Sequence, residues 1–229
     1  IDIAAAGSKP SELFDGIETN AGLLVFSRNQ QFLLASDDTV LSRDTAKLRS
    51  VSTYFYNEKV EPVSLGVTTG FVDNSGMYSR FQEMAQVQRE GEAAIRETSR
   101  IVPTLLPKDV DLITISKENG MIFLGKVGTD TIYIYKYLDG EKREQSAWFK
   151  WKFLNNIQYH FSIDDSYYFI DSDDFLQKIN LVQSTSDYTV DAAFTQEGED
   201  YLVHMDNYMN LGSITPTYSE ANNETSITI

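Results

Sequence analysis

The feature that most constrains the fold is a run of short apolar segments separated by turn signals, between Leu112 and Phe153. In the middle of this run isoleucines alternate with tyrosines, which is the two-residue period of side chains along a β-strand. Asp139-Gly140 then favours a tight hairpin, because both central residues of a type I′ turn need positive φ. The run therefore predicts an antiparallel meander of four strands: Leu112–Ser116, Met121–Lys126, Thr131–Leu138 and Gln145–Phe153.

The same pattern resumes beyond this meander, where three more strands are predicted at Gln158–Ile163, Ser166–Ile170 and Phe175–Val182. Blade-like units near residues 112–153 and 158–183 then follow each other at a spacing of roughly 45 residues, which is typical of propellers. The fold class that we predict is mainly β, with antiparallel meanders that form part or most of a β-propeller.

The N-terminal half adds two hairpins and one short helix to this prediction. The hairpins pair Leu23–Ser27 with Gln31–Ala35, and Val67–Val72 with Tyr78–Met84. Between Glu90 and Val102 the strand pattern lapses, and small and apolar residues have helical spacing instead. Pro103 would end that segment, so we expect one short helix before it.

The length of 229 residues suits one large β domain or two small ones. We expect residues 1–200 to form the propeller portion, and residues 201–229 to begin a following strand or inserted segment, with a strand at Tyr201–Met205. The last residues, Thr225–Ile229, resemble a strand that is cut in mid-course. We therefore expect the chain to be a fragment of a longer protein.

Composition excludes several classes of function. The chain has no cysteine, which rules out disulfides, thiolate metal sites and cysteine nucleophiles. Its formal net charge of −15 disfavours tight binding of nucleic acid in a basic groove, but it is compatible with a pore through which nucleic acid slides. No apolar run approaches the ~18 residues needed to cross a membrane, so no membrane-spanning segment is predicted.

One segment, Gly120–Val127, nearly matches a phosphate-binding loop. That motif requires Ser or Thr after the lysine, but Val127 stands at this position. It also requires a loop that leads into a helix, whereas the residues between the two glycines are apolar and form strands readily. We therefore predict a β-strand that ends in a glycine turn.

Metal binding has two candidate sources, and neither has the required spacing. The two histidines, His160 and His204, do not form the paired pattern of a zinc site. Asp171–Asp174 offers three carboxylates in one turn, but Leu176 and Val182 occupy the positions where a calcium loop needs Gly and Glu. Because aspartates in turns commonly cap their own backbone, we predict no metal ligand and no cofactor.

Catalysis and nucleic-acid stacking are weakly supported. There is no G-x-S-x-G motif, and the sequence nominates no catalytic residue, so we predict that the chain is not an enzyme. Trp148–Lys152 mixes aromatic residues with lysines, as stacking surfaces do, but a strand with one buried and one solvated face is the simpler interpretation. Trp151 would then lie on the buried face and Trp148 on the solvated face. On this basis Trp151→Ala should destabilise the protein more than Trp148→Ala.

Several phrases of the sequence, in the same order, resemble the tail tubular protein B family, the nozzle subunits of short-tailed bacteriophages. They cover most of residues 10–210 and contain no catalytic signature; their specificity lies in their common order. The phrases are Gly22–Tyr54, Ser64–Met84, Val102–Gly125, Gln145–Phe153, Tyr159–Ile170 and Tyr201–Tyr208.

The resemblance implies a β-propeller with inserted domains and a structural role in the virion tail. It implies self-association into a hexameric ring, below the adaptor (tail tubular protein A) and near the tail fibres. That ring would continue and gate the channel for genomic DNA, which would pass without sequence-specific binding. Two alternatives remain open at this point: a receptor-binding or glycan-degrading tail component, and a general propeller scaffold for other proteins.

Overall fold

The computed structural model describes residues 5–6, 12–36, 45–85, 93–139, 143–181, 217–219 and 224–226. The chain divides into two compact units, Ile1–Val182 and Gln183–Ile229. The prediction of a mainly β fold is confirmed, because almost all regular structure in the described residues is strand. No helix in the described part of the chain is long and apolar enough to cross a membrane.

The first sheet is built around the hairpin predicted near Gly22–Ser36, which is confirmed. It has five strands in the order β1-β5-β4-β3-β2, all antiparallel except the β1–β5 pair. Its inner face supplies much of an apolar core that Tyr56, Phe71 and Met84 complete. The strands are β1 (Ala5–Ala6), β2 (Leu13–Thr19), β3 (Gly22–Ser27), β4 (Gln31–Ser36) and β5 (Ala46–Ser52).

The second sheet contains the other predicted hairpin, which is also confirmed. Its four strands follow chain order and are antiparallel: β6 (Val63–Ser64), β7 (Thr69–Asp73), β8 (Arg80–Met84) and β9 (Ile95–Glu97). The residues of β7 are buried throughout, which explains why this segment shows no alternation of polar and apolar residues.

The short helix predicted between Glu90 and Val102 is wrong for the residues that the structure describes. Ile95 pairs with Met84 in the sheet and packs against the first core, so strand pairing overrides the helical spacing. Only one turn of 3₁₀-helix follows, at Thr98–Ile101. The buried Ser99 hydroxyl accepts a hydrogen bond from the Phe81 N–H over 3.0 Å, which fixes this turn to β8.

The third sheet has six antiparallel strands in chain order. They are β10 (Leu112–Ser116), β11 (Met121–Gly125), β12 (Thr129–Asp139), β13 (Arg143–Ile163), β14 (Ser166–Asp171) and β15 (Leu176–Asn180). The predicted break between Phe153 and Gln158 is wrong, because β13 is one strand of 21 residues. A register shift between Lys152 and Ile157 bends this strand without ending it.

The bend in β13 curls the third sheet like half of a barrel. The second half of β13 lies beside β10, where the Ser162 N–H donates a hydrogen bond to Thr114 Oγ1 over 3.1 Å. The two predicted blade-like groups are therefore parts of one continuous sheet in the described residues. A propeller is not seen there, and the propeller assignment stays a prediction.

Both faces of this sheet are packed, and the predicted alternation along β12 is confirmed. Ile132 and Ile134 lie in the core inside the curl, whereas Tyr135 and Tyr137 lie in a second core against the second sheet. The solvated position predicted for Trp148 is wrong. Its ring packs against Tyr135 on the second-sheet side, and its Nε1–H donates to the Thr98 carbonyl over 3.1 Å.

Near the C-terminus the described residues form one antiparallel pair, β16 (Thr217–Ser219) with β17 (Glu224–Ser226). The predicted strand at Tyr201–Met205 and the histidine His204 lie outside the described residues.

Candidate assembly surfaces

The near-match to a phosphate loop is a buried strand, as predicted. All five residues of β11 are buried in the third sheet, so they are out of reach of a phosphate. Gly120 has a φ of 57°, and a Cβ at this position would lie 2.3 Å from the Tyr137 carbonyl oxygen. This glycine therefore serves a tight turn between β10 and β11.

His160 is a buried residue of β13 whose Nδ1 lies 2.9 Å from the Tyr167 hydroxyl. Burial lowers the pKa of His160 to about 3, and a backbone group of Ile113 offsets this only partly. The imidazole is therefore neutral at pH 7, and its Nε2 makes no hydrogen bond of ordinary geometry. In the described residues no three His, Asp or Glu side chains are grouped to hold a metal.

The aspartate-rich turn after β14 is organised by its first carboxylate. Asp171 accepts hydrogen bonds from the backbone N–H groups of Asp173 and Phe175, each over 3.0 Å. Desolvation alone would raise the pKa of the Asp171 carboxyl, but these bonds, with those from Gln177 and Asn155, lower it below its ordinary value. The structure thus agrees with the interpretation of a self-capped turn.

A buried ion pair, which no spacing pattern in the sequence predicts, joins the second and third sheets. Arg143 donates to both carboxylate oxygens of Glu83, over 2.6 and 3.0 Å. The same guanidinium also bonds Asp139 and the Tyr135 hydroxyl, and Thr68 donates to Glu83. Burial by itself would lower the pKa of Arg143, but the hydrogen bonds to Asp139 and Glu83 outweigh it and raise the pKa. This cluster locks two strands that are 60 residues apart in sequence.

A groove of about 650 Å³ opens at one end of the third sheet, where the β10–β11 turn and the β12–β13 connection lie. We call it the end groove. Its apolar lining comes from Leu65, Tyr137, Leu138, Ala147 and Phe149, and its charged lining from Lys117, Glu118, Lys136 and Asp139. Lys117 and Lys136 form no ion pair with any described residue, so the groove offers two available ammonium groups.

The opposite end of the third sheet presents exposed apolar side chains. The bend of β13 carries Leu154, which is 99 % exposed, and the β14–β15 turn carries Phe175 and Leu176, which are 65 % and 61 % exposed. Val127, in the β11–β12 turn, is also exposed. We call these four residues the apolar tip.

The apolar tip is held in place by hydrogen bonds between the segments that carry it. Asn155 donates to Asp173 over 2.9 Å, which links the bend of β13 to the β14–β15 turn. The Gly128 N–H donates to the Ile157 carbonyl over 2.8 Å, which links the same bend to the β11–β12 turn. Large apolar side chains on a braced, solvent-exposed edge are typical of contact surfaces.

Sequence reasoning found neither surface. The end groove combines residues from β12, β13, the β10–β11 turn and the connection after β6, so no local pattern marks it. The apolar tip had one signal in the sequence: Leu154 is a large apolar residue directly before the polar pair Asn155 and Asn156.

Comparison with known protein families gives a match over the whole chain. The family model described as bacteriophage nozzle protein matches residues 1–229, which is the full chain. No curated protein matches the sequence.

Proposed function

Because the chain belongs to the bacteriophage nozzle protein family, we propose that it forms, with copies of itself, a ring that continues and gates the DNA-ejection channel. Membership of the family shows that the protein is a structural component of a phage tail and is located in the virion. The match over residues 1–229 is the observation that carries the proposal.

The architecture supports a role that depends on holding a shape. Every strand of the three sheets has a hydrogen-bonded neighbour, both faces of the third sheet are packed, and a buried ion pair ties it to the second sheet. A channel wall needs this resistance to deformation, because DNA under pressure moves past it. The same reasoning, with the structural family, supports our proposal that the protein is not an enzyme.

The charge of the chain supports contact with DNA that slides. At a net charge of −15 the protein gains little from counterion release when it meets a phosphate backbone. DNA would therefore pass along the lumen without sequence-specific binding and without being retained.

The remaining parts of the proposal concern architecture and partners. We propose a hexameric ring of a short-tailed phage that contacts the adaptor (tail tubular protein A) on one side and lies near the tail fibres. Residues 1–200 would belong to a propeller portion, and residues 201–229 to a following segment. The blade boundaries of such a propeller need not fall at a strand break, since β13 spans residues 143–163.

Cryo-electron microscopy of intact tails tests the proposal. The expected result is a ring of density around the channel into which the first, second and third sheets fit, with one copy in each protomer. Density for this chain only in fibres or spikes, away from the channel axis, would refute the ring.

A further inference from the structure

We propose that the apolar tip of one copy docks into the end groove of the next copy, so that the chains associate head to tail. This inference rests on the proposed function, because it names the contact through which the ring would form. The occupant of the end groove is a second copy of this chain.

The shape of the apolar tip suits insertion. Leu154 extends from a bend in β13, and Phe175 and Leu176 stand beside it at the β14–β15 turn. Because Asn155 fastens the bend to that turn, little conformational entropy is lost when the side chains are buried. The tip therefore has the properties of a preorganised hydrophobic anchor.

The end groove has the matching properties. Its volume of about 650 Å³ is large enough to hold several side chains together. Leu65, Leu138 and Phe149 contribute apolar lining. Tyr137 contributes an aromatic wall that is held by the Arg143 guanidinium, 4.6 Å from the ring centroid. An apolar groove of this kind is stabilised when apolar side chains displace its water.

The charges beside the two surfaces are complementary. Asp173 and Asp174 lie next to the apolar tip, exposed to solvent, whereas Lys117 and Lys136 line the end groove without an ion partner in the described residues. In a docked pair the carboxylates of one copy would face the ammonium groups of the next. This arrangement favours a second copy over an acidic partner that lacks an apolar anchor, and over DNA, which offers no apolar side chain to fill the groove.

The position of the two surfaces favours head-to-tail association. They lie at opposite ends of one sheet, because β12 starts at the turn beside the tip and ends at the connection beside the groove. A contact between two different surfaces is heterologous, and repeating it produces either a closed ring or an open filament. A two-fold dimer would need both contacts to form at once between the same two antiparallel copies, and the cross-linked double variant below would then stop at dimers and give no ladder.

Cysteine cross-linking tests the contact, since the full chain contains no cysteine of its own. Leu154→Cys and Leu138→Cys each place one thiol, at the tip and at the groove, and both sites are exposed. With a short thiol-reactive cross-linker, a mixture of the two variants should give dimers, and the double variant should give a ladder. Each variant alone should stay monomeric on a denaturing gel.

Two outcomes of this experiment would overturn the proposal. One is a mixture that cross-links no more than the separate variants, and the other is either variant cross-linking efficiently with itself. Leu154→Asp supplies a second measurement, because it should weaken self-association at least tenfold in sedimentation velocity. Ile101→Asp is the matched control, at a side chain of the 3₁₀ turn that is 73 % exposed and belongs to neither surface, and it should leave self-association unchanged.

The charge contribution has its own variant pair. Lys136→Glu should weaken self-association several-fold, and the effect should shrink as salt is added, whereas Lys150→Glu on the same sheet should have little effect. Equal effects of both variants would contradict the charge pairing. Circular dichroism melting curves confirm that each variant is folded before it is compared.

Failure of this contact can be separated from failure of the proposed function. If tails that carry Leu154→Asp show the same ring around the channel, the contact is wrong and the function stands. If the unmodified chain is absent from the channel wall, the function is wrong whatever the cross-links show.

Discussion

Trp148 and Trp151 lie on opposite faces of β13, and each holds a different core together. The Trp148 ring is 4.9 Å from that of Tyr135 and 6.1 Å from that of Phe81, on the side of the second sheet. The Trp151 ring is 5.7 Å from that of Phe123, inside the curl of the third sheet. The sequence pattern located the face of Trp151 correctly but could not show that a second sheet covers the other face.

We therefore expect Trp148→Ala and Trp151→Ala to cost similar amounts of stability. Both remove a large aromatic contact and leave a cavity, so each should lower the free energy of unfolding by about 3–5 kcal/mol. Urea unfolding followed by tyrosine fluorescence and circular dichroism measures this. Lys150→Ala, between them on an exposed position, should change stability by less than about 0.5 kcal/mol. A loss confined to Trp151→Ala would show that the packing of Trp148 adds nothing.

His160 makes stability depend on pH in a predictable direction. Burial lowers its pKa to about 3 in the folded protein, while an unfolded histidine titrates near 6.5. Between these values the unfolded chain binds a proton that the folded chain does not bind. The contribution of the neutral His160 is therefore fully present above pH ~6.5, and it is lost as the pH falls towards 3.

His160→Gln should remove this dependence. Between pH 6.5 and 4 the free energy of unfolding of the unmodified protein should fall more steeply than that of the variant, by at most about 1.4 kcal/mol per pH unit. Denaturant titrations at several pH values give both slopes, and all other titrating groups are common to the two proteins. Identical slopes would mean that folding does not shift the pKa of His160.

At the scale of elements, the sequence predicted strands well and their partners less well. Strands bounded by glycine or aspartate turns were predicted almost to the residue, as at Leu112–Ser116 and Ser166–Asp171. The sequence did not predict the strands Leu13–Thr19 and Ala46–Ser52. They contain many polar and small residues, and pairing with neighbouring strands stabilises their extended conformation. The bend in β13 was interpreted as a break, since the polar residues Asn155 and Asn156 resemble a turn in sequence.

The candidate surfaces illustrate the same limit. Local chemistry correctly identified what Gly120–Val127 and Asp171–Asp174 do in the backbone, because turn and strand propensities act over a few residues. The end groove and the Glu83–Arg143 pair each depend on strands that meet only after the sheets stack. No spacing pattern in the sequence predicts contacts of this kind.

The turn between β10 and β11 provides a prediction about a glycine. Gly120 and Gly128 both have positive φ, of 57° and 78°, but only at Gly120 would a Cβ meet another atom, the Tyr137 carbonyl oxygen at 2.3 Å. Gly128→Ala should cost about 1–2 kcal/mol of unfolding free energy, which is the backbone strain alone. Gly120→Ala should cost clearly more, because it also disturbs the hydrogen bond from the Tyr137 N–H to the Gly120 carbonyl. Thermal denaturation compares the two, and equal losses would rule out the steric contribution.

The ion pair between the second and third sheets gives a further prediction at this scale. Glu83→Ala leaves the Arg143 guanidinium largely buried with only Asp139 as a charge partner, so it should cost about 3 kcal/mol or more. Glu97→Ala is the control, because its pair with Arg80 spans 3.9 Å and is more exposed, and it should cost at most about 1 kcal/mol. Chemical denaturation measures both. A Glu83→Ala variant as stable as Glu97→Ala would show that the pair does not lock the sheets.

At the scale of the whole molecule, net charge and exposed apolar surface have separate roles. Like charges on copies of an acidic protein repel each other, so self-association needs a local contact that overcomes this repulsion. The apolar tip and the end groove offer such a contact, and their lysines and aspartates reverse the repulsion locally. The remaining acidic surface is then available to keep DNA from adhering.

The excess of acidic residues predicts that the protein, whether single or assembled, does not retain duplex DNA at about 0.15 M salt. Nonspecific DNA binding comes from cations that release counterions from the phosphates, and here 34 acidic residues outnumber 19 basic ones. Fluorescence anisotropy of a labelled duplex should therefore stay flat up to concentrations of about 10⁻⁴ M, where basic proteins already bind. A basic DNA-binding protein under the same buffer serves as the positive control. Binding that weakens steeply with salt would reveal a basic lumen, and a channel of that kind would slow the passage of DNA, contrary to the function proposed here.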